Sequence, residues 1–150
     1  MGMEKTLVIG IGNTGRADDG LGWAFLDKLM EDDRFEVTYR YQLQVEDAEL
    51  ISRYDRVWFI DASHRAYENG FECKVLQPES QHSYTTHELH PATVLHLSQD
   101  LYQKSPESYL LEISGDDWEL GHKMSIPASL RLQKAFEYFL QCQILIPDMF

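Results

Sequence analysis

The sequence predicts an α/β fold: a three-layer α/β/α sandwich around a mostly parallel, twisted sheet of about five strands. Three observations predict it. Strand-like and helix-like segments alternate along the chain, the pattern that covers a sheet with helices on both faces. The first strand, Thr6 to Ile11, is almost wholly apolar, as a strand buried on both sides must be. No repeat, low-complexity tract or Pro/Gly/Ser linker interrupts the 150 residues, so one domain over residues 1–150 is expected.

Each element has its own signal. After the first strand, Leu21, Phe25 and Leu29 recur at intervals of four, with Ala24 and Leu26 widening the apolar side, which predicts a helix from Gly20 to Met30 capped by Asp18 or Asp19. Phe35 to Tyr41 alternates as a second strand, and Val45 to Tyr54, with its early acids, reads as a short helix. Arg56 to Asp61 is a third strand that ends in a carboxylate, and Phe71 to Leu76 a fourth. Pro91 to Tyr102 reads as a helix with its proline in the first turn, where the missing N–H costs nothing. Tyr109 to Ser114 is a fifth strand, and Ile126 to Gln141 a closing helix.

Composition removes several functional classes. With 13 basic and 25 acidic residues the formal net charge is −12, which repels phosphate backbones and anionic headgroups, so no nucleic-acid or membrane partner is expected. No apolar run is long enough to cross a bilayer. The run Leu7 to Ile11 is too short for a signal-peptide core and meets Gly12 and Asn13 at once, so a cytoplasmic location is expected. Met1-Gly2 with Thr6 fits the myristoylation pattern by chance, because no polybasic second signal accompanies it. Cys73 and Cys142 are far apart and lack CxxC spacing, so they read as reduced thiols.

The turn after the first strand, Gly10-Ile-Gly-Asn-Thr-Gly-Arg-Ala-Asp-Asp-Gly20, carries the first functional signal. Gly10, Gly12 and Gly15 satisfy the GxGxxG spacing of dinucleotide-binding turns. Two features oppose a dinucleotide-binding oxidoreductase. The second strand ends in Tyr39-Arg-Tyr-Gln42 with no acid for a ribose. Asp18 and Asp19 would also face the phosphates, an arrangement that Coulomb energy disfavours. A divalent cation reverses the objection, because carboxylates are its natural ligands.

Asp61 stands at the C-terminal end of the third strand, the edge at which open α/β sheets gather ligands. If the first and third strands are parallel neighbours, Asp61 and the first loop open onto the same edge, although a turn cap is an equally good use for this residue. Six histidines are present. In Thr85-Thr-His-Glu-Leu-His-Pro91, His87 lies on the polar approach to a helix, whereas His90 and His96 fall on or near that helix as packed or solvent-facing residues. Two carboxylates and an imidazole with open positions suit Ni, Zn, Mn or Fe.

The ordered blocks GxGN with Asp18-Asp19-Gly20-Leu-Gly22, then Phe59-Ile-Asp61-Ala, then Thr86-His87 with Pro91, resemble the [NiFe]-hydrogenase maturation endopeptidases over nearly the whole chain. Ile113-Ser-Gly115 through Gly121 and Ser125 is similar to that family's closing strand, glycine turn and last-helix entry. The resemblance implies a metal bound by an acid of the first loop, an aspartate at a strand end and a histidine before a helix, which fall on Asp19, Asp61 and His87. These three would be both the catalytic and the metal residues, with Asp18 as the rival of Asp19. It also implies a monomeric endopeptidase that removes a C-terminal extension from a hydrogenase large-subunit precursor after nickel insertion. The divalent metal would be nickel, which the substrate itself can supply, with zinc as the alternative; a noncatalytic module that only binds such precursors is the third reading.

Two departures from that pattern bear on substrate identity. Thr14-Gly15-Arg16 replaces more apolar residues in the first loop, and Gln42 to Asp47 stands where an Asp-Gly-Gly-like turn is common. Gly12, Asn13, Asp18, Gly20 and Gln42 are the candidate substrate-loop residues; Gln42, Glu46 and Asp47 are candidates for the recognition cleft, with a solvated helix start as the safer reading. Ser63-His64 beside Asp61 suggests a triad, but no GxSxG elbow is present. Cys73, inside a strand, lacks a cationic partner that would generate thiolate.

Overall fold

The computed structural model describes residues 6–80 and 89–149. In chain order it contains β1 (Thr6–Ile11), a 3-10 turn (Ala17–Gly20), α1 (Leu21–Asp27), β2 (Phe35–Arg40), α2 (Asp47–Ile51) and β3 (Arg56–Ser63). These are followed by β4 (Phe71–Leu76), α3 (Pro91–Tyr102), β5 (Glu107–Ser114) and α4 (Ile126–Met149). The strands form one five-stranded sheet in the order β2-β1-β3-β5-β4. All neighbours are parallel except β4, which runs antiparallel to β5 at the edge.

Strand alternation sorts the core into two layers. Val8, Trp58, Ile60, Tyr109, Leu111 and Ile113 face α1 and α4, where Leu21, Phe25, Leu132, Ala135 and Phe139 meet them. Leu7, Ile9, Val57, Phe59 and Leu110 face α2 and α3, packing on Ala48, Ile51, Val94 and Leu95. This two-sided burial explains why β1 and β3 are nearly continuous apolar runs. Trp58 lies at the centre of the first layer, stacked on Tyr109 at 4.6 Å and edge-on to Phe139 at 4.9 Å, the arrangements that ring quadrupoles favour.

Helix starts follow the local chemistry. Pro91 opens α3, and His90 is its N-cap, its Nδ1 accepting the Ala92 N–H at 3.0 Å. α1 differs from the expectation: neither Asp18 nor Asp19 caps it, because Gly20 is the N-cap and no side chain bonds there. The helix ends at Asp27, and Leu29 then continues in a tight turn with its N–H on the Leu26 carbonyl. Leu29 is nevertheless buried, so the four-residue periodicity reported burial and not helix length.

Other bounds differ as well. α2 has five residues instead of spanning Val45 to Tyr54. β3 continues past Asp61 to Ser63 because β5 accompanies it as far as Ser114. α4 runs beyond Gln141 to Met149, where Ile144 and Leu145 are exposed and give no amphipathic signal. Among the described residues no helix is long and apolar enough to cross a membrane.

Candidate functional site

The candidate site lies at the C-terminal edge of β1 and β3. These strands are parallel neighbours with Gly10 opposite Ile60, so the chain after Ile11 leaves the sheet beside Asp61, while β3 itself continues along β5 to Ser63. The start of α1 closes on them so tightly that a Cβ on Gly22 would lie 2.6 Å from the carbonyl oxygens of both Ile11 and Ile60. The turn carrying Asp19 is therefore pressed against the strand ends, one of which bears Asp61.

Gly12 allows this approach. Its φ is +145°, and a Cβ there would sit 2.0 Å from the Asp19 carbonyl oxygen, so only glycine fits. The Asn13 N–H donates to that carbonyl at 3.1 Å and to Asp19 Oδ2 at 3.0 Å. Asn13 Oδ1 in turn accepts the Gly15 N–H at 2.8 Å. Asp19 and Asp61 are each half-buried, and Asp61 Oδ1 accepts the Ala62 N–H at 2.8 Å. The Asp19 turn and Asp61 thus stand on neighbouring backbone segments at one edge of the sheet. His87 lies outside the described residues, and among those described no group of three metal-ligating side chains occurs. Two carboxylates on one partly exposed rim suit a divalent ion in their chemistry.

The other substrate-loop residues divide by position. Gly20 packs on Thr14, whose Cα would be 3.2 Å from an added Cβ. Gln42 is half-buried just beyond β2, next to the first loop because the Gly12 N–H donates to the Arg40 carbonyl at 2.9 Å. Asp47 is buried and belongs to the scaffold, accepting the Gln44 N–H and Arg40 Nε at 2.9 Å each.

Asp18 faces away from the rim. It is fully buried; its Oδ1 accepts the Ser125 N–H at 2.7 Å. Its Oδ2 accepts the Asp116 and Asp117 N–H groups at 2.7 and 3.0 Å and the Ser125 hydroxyl at 2.8 Å. Burial pushes this carboxyl up, but the hydrogen bonds from Asp116, Ser125 and Asp117 outweigh it and hold the group below its ordinary 3.8. Both oxygens serve this segment, which gives Asp18 a structural task distinct from that of Asp19.

The glycine loop has no pyrophosphate cradle. A dinucleotide turn needs backbone N–H groups aimed at the ligand, whereas here those of Gly12, Asn13, Gly15, Arg16, Ala17, Asp18 and Asp19 all donate within the chain. The space beside Gly10 and Gly12 is filled by Gly22 and Asp19 themselves.

Sequence reading missed the neighbours of Asp61. Glu112 on β5 is its register partner and shares its sheet face. The Tyr67 hydroxyl donates to Glu112 Oε1 at 2.9 Å, and the Tyr67 N–H donates to Ser114 Oγ at 3.0 Å. Lys74 approaches Glu112 and Glu72 at 3.7 and 3.5 Å, and a cleft of about 280 Å³ lies between β4 and the start of α3. Alternation along β5 was the available signal, since Leu110 and Glu112 share one side. The triad does not assemble: Ser63 Oγ accepts the Arg65 N–H, and His64 stacks on Trp118 at 3.8 Å. Burial pushes the Cys73 thiol up to about 11, which suits an inert core residue.

No protein-family model and no curated protein sequence matches the chain. Solved structures share its fold. The [NiFe] hydrogenase maturation protease HycI of Thermococcus kodakarensis KOD1 superposes with a TM-score of 0.68 at 22% identity, over 92% of this chain and 91% of that one. A solution structure of an Escherichia coli endopeptidase gives 0.70 at 18% identity, over 91% and 90%. The hydrogenase maturating endopeptidase HybD of E. coli gives 0.68 at 16% identity, over 96% and 93%. The chain has the fold of these endopeptidases along nearly its whole length.

Proposed function

We propose that this chain is an endopeptidase that removes a C-terminal extension from the precursor of a [NiFe]-hydrogenase large subunit once nickel has been inserted. The observation that carries the reading is the packing of the Asp19 turn onto the ends of β1 and β3, beside Asp61. The shared fold adds to it, because HycI of Thermococcus kodakarensis KOD1 and HybD of E. coli are hydrogenase maturation proteases. Fold alone would leave the chemistry open.

On this reading Asp19, Asp61 and His87 hold a divalent ion, and the nickel of the precursor is recognised as part of the substrate; zinc suits the same donors. A bound divalent ion polarises a peptide carbonyl or acidifies a water. The chain's own contribution is orientation. Gly12 lets the Asp19 turn approach, the Asn13 N–H fixes the Asp19 carboxylate, and Gln42 borders the first loop where the precursor tail would enter. Cleavage conditional on nickel makes the enzyme a checkpoint that acts in the cytoplasm, as a monomer.

The test is incubation of the protein with nickel-loaded and nickel-free large-subunit precursors, read by mass spectrometry of the precursor C-terminus. A clipped product from the loaded precursor only, lost in Asp19→Ala, Asp61→Ala and His87→Ala, is expected. Binding without clipping would make the protein a noncatalytic precursor-binding module, and clipping by all three variants would overturn the site.

A further inference from the structure

We propose that Asp18 is a positioning residue: its buried carboxylate clamps the Gly115–Ser125 segment onto the turn carrying Asp19, making that segment one wall of the substrate cleft and fixing the direction of Asp19. The proposal deepens the endopeptidase reading and rests on it.

Bonds join the two stretches from both sides. The Ala17 N–H donates to the His122 carbonyl at 3.1 Å, the Asp18 N–H to Asp117 at 2.9 Å, and the Gly121 N–H to Gly15 at 2.8 Å. The four donors on the Asp18 carboxylate then bind the beginning of the segment, Asp116 and Asp117, and its end, Ser125. A Cβ on Gly115 would come within 2.8 Å of both Asp18 Cβ and the Trp118 ring, so the segment lies directly on the clamp. The Gly115 N–H donates to the Ser63 carbonyl at 2.9 Å, and Trp118 stacks on His64. The segment thus borders the end of β3 two residues beyond Asp61.

The coupling to Asp19 follows from the turn. Asp18 and Asp19 are consecutive in a 3-10 turn, where neighbouring side chains diverge by about 120°. An inward Asp18 therefore turns Asp19 to another side of the turn, where its Oδ2 accepts the Asn13 N–H at 3.0 Å. Ala17, just before them, has φ 49°, a left-handed conformation uncommon outside glycine, and the bonds on both sides hold it there. Asp18 acts through the backbone, as an outer-shell partner acts on a metal ligand.

The experiment measures Ni²⁺ binding by calorimetry and amide hydrogen exchange for the full chain, Asp18→Asn, Ser125→Ala and a control, Leu29→Ala, which opens a cavity in the core away from the rim. Asp18→Asn should weaken Ni²⁺ binding about tenfold or more and speed exchange in residues 13–20 together with 115–125. Ser125→Ala, which leaves Asp18 in place, should do the same to a smaller degree, and Leu29→Ala should bind within about twofold of the parent, since it removes no bond to the ligand turn. If Asp18→Asn does not fold, Ser125→Ala decides. Binding within twofold in the clamp variants, or faster exchange confined to 115–125, overturns the proposal. A parent chain that binds no Ni²⁺ would defeat the metal-site reading instead, and the exchange pattern would still decide whether Asp18 couples the two stretches.

Discussion

Replacing Gly12 by alanine tests the packing on which the site depends. At φ +145° the new Cβ would meet the Asp19 carbonyl oxygen at 2.0 Å, and backbone cannot rotate away as a side-chain tip can. Holding a non-glycine residue in this region costs about 1–3 kcal/mol. Displacing the carbonyl also removes the Asn13 bond, worth about 1 kcal/mol. A loss of about 2–4 kcal/mol should lower the melting temperature by about 5–15 °C for a domain of this size. Gly121→Ala is the matched comparison: its φ is +85°, yet nothing lies within 4 Å of the added Cβ, leaving only a backbone cost of about 1–2 kcal/mol. Melting both variants by circular dichroism should place Gly12→Ala well below Gly121→Ala, and on the proposed endopeptidase reading Gly12→Ala should also abolish precursor clipping as Asp19 shifts. Coincident melting curves would refute the close packing of the Asp19 turn.

Three further outcomes follow from the same geometry. The folded Asp18 carboxyl titrates below its ordinary 3.8, so its contribution to stability is fully present above that value and is lost as pH falls through the folded value; urea titrations should show Asp18→Asn losing part of the acid-side slope, and an unchanged slope would contradict the clamp. Cys73, with its thiol pushed up to about 11 by burial, should resist iodoacetamide at pH 8 in the folded protein and react on unfolding; rapid modification of the native chain would show that β4 is not packed as described. Titration with NADH should give no saturable binding, because the loop N–H groups are already bonded within the chain; saturable binding would revive the oxidoreductase reading.

The parts of the fold that local chemistry determines were readable in advance. Thr6 to Ile11 and Phe71 to Leu76 appear with the expected bounds, and Pro91 begins its helix as its missing N–H requires. Long-range partners were not readable. Nothing near Asp18 indicates that its donors lie 98 to 107 residues away, so a helix cap was the natural local reading. Glu112 gained meaning only when β5 proved to be the neighbour of β3, and the continuation of β3 to Ser63 has the same cause. The glycine spacing suggested a pyrophosphate because a sequence shows that backbone approaches something, whereas the structure shows that it approaches Asp19 and Gly22.

If Asp19, Asp61 and His87 hold one divalent ion, as proposed, anomalous diffraction at the nickel edge from crystals grown with Ni²⁺ should show a single strong peak within about 2.2 Å of oxygen atoms of Asp19 and Asp61 and a ring nitrogen of His87, the range for carboxylate and imidazole ligands of such ions. A peak bound elsewhere, or none at saturating Ni²⁺, would rule the shared site out.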